Sequence, residues 1–381
     1  MTSHTQGTAD PALLSTPTLK MAQPMEIVSA GAPATESHPA LHEPVAPAYA
    51  AFPSELEIGT DSSDSGSRDD DSALGGSVLG STSSLRSSIY DYLEENGRTY
   101  HAFNSGKYML PNDIREQDRL DLQHHSFKIM LDGNLNLAPV TNPHRVLDLA
   151  TGTGIWAIEF AQEHPESSVT GTDLSPIQPD FVPANCQFEI NDAEEEWNFS
   201  QPFDYIHARA IVTCFKNNPA IVQKIFENLA PGGYFELQDP CLPMRCDDGT
   251  LEGTPLNEWN EKLVESMSRI GRNLRDGQNW GQYMRDAGFE DVVEHRIYVP
   301  VNPWARGKKN KLLGAISQQN LLEGVESMSK AAFTRVLGWS PERLEELLEG
   351  VRANLQDKHV HAYGIVYFAY GRKPGTVAEE S

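Results

Sequence analysis

The stretch VLDLATGTGIWAIEFA, residues 146–161, closes an apolar run on an acid, turns through small residues and glycines, and leaves on an amphipathic segment. A short apolar run followed by such a turn and a helical pattern reads as a buried strand, a glycine-rich turn and a helix. Within it GTGIWA, residues 152–157, fits the spacing G-x-G-x-x-G/A, in which glycine lets the backbone approach a ligand closely. Asp173 stands 19 residues after Gly154, at the end of the next apolar run, where a carboxylate accepts ribose hydroxyls. This spacing serves a nicotinamide dinucleotide and S-adenosylmethionine equally well, since both carry an adenosine ribose.

Asp148 separates the two. It closes the first strand directly before the turn, where a dinucleotide seats its pyrophosphate at the helix N-terminus. Two negative charges there repel. S-adenosylmethionine brings an ammonium and no phosphate, so a carboxylate becomes an attractive partner.

Outward from the turn the pattern alternates. HRVLDLA, SVTGTDLS, CQFEIND, FDYIHAR and YFELQD read as strands; IWAIEFAQEHP and PAIVQKIFENLAPGG read as helices. Strands separated by crossover helices predict a mostly parallel sheet covered on both faces, an α/β doubly wound fold. Further along come a helix over residues 258–287, a strand VVEHRIYVPV, a helical insertion at about 308–356 and a last strand AYGIVYFAYGRKP. The insertion is too long for a hairpin loop and needs a packed face of its own. Upstream, apolar residues from Ile114 to Leu131, with an N-cap at Asn112 or Asp113, predict a helix within an N-terminal helical cap spanning 89–143. The core is expected over 144–374.

Residues 1–88 are rich in Ala, Pro, Ser, Thr and Gly and carry the acidic run TDSSDSGSRDDDS, so a disordered tail is expected there. The serines set among aspartates suit phosphorylation. The 381-residue chain has a net charge of −24, which argues against a nucleic-acid ligand. No run reaches the roughly 18 apolar residues of a membrane helix, and the N-terminus has no signal-peptide pattern. The chain reads as soluble and intracellular, cytoplasmic or nuclear or both, RGKKNK at residues 306–311 being a poor nuclear signal. Four cysteines with no CxxC predict reduced thiols and no metal site.

DLATGTG resembles the D/E-x-G-x-G-x-G motif of class I S-adenosylmethionine-dependent methyltransferases, a Rossmann-like fold, with Ala150 replacing the first glycine. VTGTDLS, EINDAEE, FDYIHAR and LAPGGYFELQD follow in that fold's order. A narrower likeness, covering about residues 90–374, is to the LaeA-like or UMTA-type fungal methyltransferases, many of them tied to secondary metabolism or development. It rests on GRTYHAFNSGKYMLPNDIREQDRLDLQHH, GIWAIEFA, FTRVLGWSPE and HAYGIVYFAYGRKP.

The resemblance implies S-adenosylmethionine as cofactor, with Asp148, Ala150, Gly152 and Gly154 at the turn and Asp173 with Leu174 at the ribose. Asp192 and Ala193 fall at the adenine, and His207 and Arg209 after the fourth core strand. Arg209 suits an anionic substrate or the cofactor carboxylate. Arg119, Gln123 and His124 share one helical side and are candidates for cofactor contact. No catalytic base is assigned. His124, His125, His207 and Tyr108 are candidates if the nucleophile is a hydroxyl. The function expected is methyl transfer to a small metabolite or a protein; the alternative is a regulatory subunit of the same fold acting through protein partners. A nicotinamide oxidoreductase has only GTGIWA in its favour.

Overall fold

The computed structural model describes residues 56–58, 93–95, 97–101, 103, 104 and 107–375. Contacts divide the chain between Ala46 and Pro47, and only the second part is described. The expected disordered tail therefore lies outside the described residues except at 56–58. There, against that expectation, Ile58 bridges Ala305 in antiparallel fashion and Leu56 packs on the Trp304 and Tyr363 cluster.

A seven-stranded sheet carries the fold. Its strands are β3 (Arg145–Leu149), β4 (Ser168–Asp173), β5 (Cys186–Ile190), β6 (Phe203–Arg209), β7 (Leu229–Arg245), β8 (Glu290–Pro300) and β9 (Tyr363–Arg372), in the order β5-β4-β3-β6-β7-β9-β8. The pairs from β5 through β7 are parallel, whereas β7/β9 and β9/β8 are antiparallel. Val146, Leu147, Asp148 and Leu149 are all buried, as expected of a strand covered on both faces. The strand order reverses between β3 and β6, so their carboxyl ends open the crevice in which doubly wound folds bind ligands.

Helices α2 (Ile155–Glu163), α3 (Asn218–Asn228), α4 (Pro255–Arg269) and α5 (Trp280–Ala287) flank the sheet. The helix expected over 258–287 is two helices, because Gly271, with φ of +79°, ends α4. Arg272 N–H donates to Met267 O and Gly271 N–H to Ser268 O, the paired bonds of a Schellman stop. Likewise α3 ends at Asn228, five residues before the Gly233 at which the sequence pattern places its end, since Leu229 already pairs with Phe203 as the first residue of β7.

The N-terminal cap is only partly helical. A two-stranded hairpin, β1 (Leu93–Glu95) with β2 (Arg98–Tyr100), precedes α1 (Ile114–Met130), whose N-cap Asp113 accepts a bond from the Glu116 amide. The insertion consists of α6 (Lys308–Lys330), a π-helical turn Ala331–Val336 and α7 (Pro341–Gln356). With α4 it forms a second core of Trp259, Leu263, Val325, Phe333, Leu348 and Val351, separate from the cores against the sheet.

Candidate functional site

A cavity of about 320 Å³ lies over the carboxyl ends of β3, β4 and β6, roofed by α1 and extending between β7, α4 and α6. Its two ends differ in chemistry. One is walled by the turn, Asp173, Leu174, Asp192 and Ala193; the other by Leu242, Met244, Trp259, Leu263 and Val301.

At the first end, Gly152 has φ of +59°, and a Cβ there would meet only Leu120 Cδ1, at 3.6 Å, so the turn leaves open space beside its backbone. Asp173 accepts from the Gly152 amide and the Ser175 amide, each at 2.9 Å. Burial pushes its carboxyl up to about 6 despite those bonds. A half-buried carboxylate facing a cavity with acceptor capacity to spare fits a pair of ribose hydroxyls. Burial also disfavours charge on Asp192, but the Lys107 ammonium, the Glu194 amide and the Asn104 amide, 2.7 Å away, together hold it below the usual carboxylate range.

Ala150, at the motif's first glycine position, lines the cavity with φ of +55°, in the left-handed region that costs an L-residue about 1–2 kcal/mol. Asp148 lies beneath the turn, outside the cavity lining. Its Oδ1 is 2.8 Å from His207 Nδ1, and its Oδ2 accepts from Thr151 Oγ1 at 2.5 Å. Thr151 does line the cavity, so the acid's charge reaches the ligand space through that hydroxyl rather than by direct contact. His207, also outside the lining, stacks on Trp156 with centroids 3.7 Å apart, and its Nε2 has no hydrogen-bond partner among the described residues. Gly154 faces Phe188, not the cavity: a Cβ would fall 2.3 Å from Phe188 Cζ, and one on Gly171 would fall 2.6 Å from the same ring.

On the roof, His124 Nδ1 accepts from Arg209 Nη2 at 2.8 Å, while its Nε2 is 3.1 Å from Glu159, off the line of a good hydrogen bond. Burial, then the neighbouring guanidinium, push His124 down to about 4, so the imidazole is neutral. Its free lone pair is thereby committed to Arg209. Tyr108 lines the cavity and burial pushes its phenol well above the usual value. Arg119 pairs with Glu116 at 2.7 Å and donates to Asn320, and Gln123 lines the cavity beside them, whereas His125 does not.

The sequence pattern did not point to Lys107 and Asn104, which reach Asp192 from 85 and 88 residues away in a loop without periodicity. Nor did it point to Phe188, whose partners are two glycines on other elements. Only the fold brings these groups together.

A parallel sheet with a switch point at β3/β6, an antiparallel β9 beside β7, and an acid-first glycine turn followed by a carboxylate at the end of the next strand, on the cavity wall, together define a class I S-adenosylmethionine-dependent methyltransferase. A family model described as a methyltransferase domain matches residues 122–295. The chain is 37% identical over 297 residues to methyltransferase pytC of Aspergillus terreus, covering 77% of this chain and 92% of that protein. It is 36% identical over 309 residues to secondary metabolism regulator laeA of Aspergillus fumigatus, covering 79% and 82%. It is 38% identical over 288 residues to protein-methionine methyltransferase laeA of Emericella nidulans, covering 74% and 76%. The chain belongs to the LaeA-like family of fungal methyltransferases. Among the described residues no helix is long and apolar enough to cross a membrane.

Proposed function

We propose that this chain transfers the methyl group of S-adenosylmethionine to a small, mainly apolar acceptor in fungal secondary metabolism or development. The observation that carries the reading is Asp173, a half-buried carboxylate on the cavity wall beside an open glycine, with an apolar compartment continuing from the same space.

In this reading Asp173 accepts the ribose hydroxyls, Asp192 and Ala193 edge the adenine, and the backbone at Ala150 and Gly152 lies along the amino-acid tail. Asp148, through Thr151, makes that end of the cavity favourable to an ammonium and hostile to a phosphate. Bound there, S-adenosylmethionine supplies a methyl carbon already activated by positive sulfur. The chain's own work is then alignment and exclusion of water, for which Trp259, Leu263 and Met244 supply an apolar wall. A base is not required. His124 cannot take a proton on Nδ1 without releasing Arg209, His207 stands outside the cavity, and Tyr108 keeps its own proton.

The name of the Emericella nidulans relative favours a second reading, in which a protein side chain entering as a narrow apolar arm is the acceptor. Titration calorimetry with S-adenosylhomocysteine and NAD tests the cofactor: heat with the former and none with the latter is expected, and the reverse defeats the proposal. Transfer of labelled methyl to small molecules or to protein, in extracts of a deletion strain supplied with the purified chain, then separates the two acceptors.

A further inference from the structure

Three cationic side chains line the cavity, and two are neutralised: Lys107 by Asp192 and Arg119 by Glu116. Arg209 is not. Among the described residues no carboxylate lies within ion-pair distance of it, and its one hydrogen-bond partner is the uncharged His124 ring. The nearby carboxylates are committed elsewhere, Asp148 to His207 and Thr151, Glu159 to Lys128 at 2.7 Å. Partial burial lowers the Arg209 guanidinium to about 10, as expected of a cation that has lost part of its water without a full counter-charge.

The group is nevertheless held in place. Its Cζ sits over the Phe127 ring, 5.0 Å from the centroid, and His124 fixes one end. Nε and Nη1 have no acceptor among the described residues and are not sealed away from the cavity space. A half-buried guanidinium held by Phe127 and His124, with free N–H donors facing a ligand space, is arranged to take two anionic oxygens at once.

We infer that Arg209 is the receptor for a carboxylate carried into the cavity by a bound small molecule. The inference rests on the methyltransferase reading above and deepens it. Two sources share this chemistry: the carboxylate of S-adenosylmethionine itself, or a carboxylate on the methyl acceptor. In either case the ligand supplies the counter-charge that the protein withholds, so binding relieves the cost of a partly desolvated, unpaired cation.

The test compares wild type with Arg209→Met and Arg209→Lys, using S-adenosylmethionine, its decarboxylated form, and benzoate added to the S-adenosylhomocysteine complex. If the cofactor is the source, calorimetry shows wild type binding S-adenosylmethionine at least tenfold more tightly than the decarboxylated form. Arg209→Met then erases that difference while binding the decarboxylated form as wild type does. If the acceptor is the source, Arg209→Met keeps wild-type affinity for S-adenosylmethionine but loses the saturation-transfer signal of benzoate. Arg209→Lys, keeping charge without the fork, falls between. Any other pattern overturns the inference, including a variant that retains both the cofactor preference and the benzoate signal. Retained binding of the decarboxylated form shows that a variant is folded. Failure of wild type to bind either cofactor form defeats the methyltransferase reading instead.

Discussion

Replacing Asp173 with Asn pulls stability and binding in opposite directions. Burial raises this carboxyl from the ordinary aspartate value to about 6, which at about 1.36 kcal/mol per pH unit disfavours the ionised apo form by about 3 kcal/mol. Because the folded pKa is raised, the stability it carries is present at low pH and is lost as pH rises through about 6. Asn removes the charge but also one of the two acceptor bonds to Gly152 and Ser175, worth about 1 kcal/mol. The apo variant is therefore expected to gain about 1–2 kcal/mol at pH 7.5 in urea unfolding.

Cofactor binding moves the other way. Hydroxyl bonds to a charged acceptor exceed those to a neutral one by about 1–2 kcal/mol, so the variant loses roughly five- to thirtyfold in affinity for S-adenosylhomocysteine. Below pH 6 the wild-type carboxyl must give up its proton before it accepts the hydroxyls. Affinity then falls about tenfold from pH 7 to pH 5, with close to one proton released per binding event at pH 5. Calorimetry in buffers of different ionisation enthalpy reads both quantities. A wild-type affinity flat across that window, or a pH-dependence that persists in Asp173→Asn, refutes the assignment of Asp173 to the ribose.

Gly154→Ala sets a Cβ 2.3 Å from the Phe188 ring at φ of +81° and is expected to cost about 3 kcal/mol in urea unfolding. Adding Phe188→Leu should recover only the steric part; full recovery would mean the backbone is unstrained. Ala150→Gly relieves a left-handed alanine and is expected to stabilise the fold by about 0.5 kcal/mol after the unfolded-state entropy of glycine is counted. A loss above about 1 kcal/mol contradicts it. Asp148→Ala strips the buried His207 ring of its Nδ1 partner when Nε2 already lacks one, so a loss of about 3 kcal/mol is expected in thermal or urea unfolding even without cofactor. A variant as stable as wild type but weak in binding would place Asp148 at the ligand instead.

The contrast between Asp173 and Asp148 marks where reading from sequence stops. Both end apolar strands, and the spacing of Asp173 from the glycines suffices to place it, because the crossover through α2 sets β4 beside β3 in only one hand. The orientation of Asp148 depends on what stands opposite it. His207, 59 residues on, falls directly across from it in the parallel register of β3 and β6, and that partner turns the carboxylate inward. On the reading proposed above, Asp148 acts on an ammonium through Thr151, which lines the cavity as Asp148 does not. Helix α1 teaches the converse. Its apolar spacing is poor because Glu116, Arg119, His124 and Ser126 are buried with Phe127 and Met130, and all six line the cavity. The weak amphipathic signal of α1 thus follows from a face that lines a cavity and carries its own paired charges, Arg119 with Glu116.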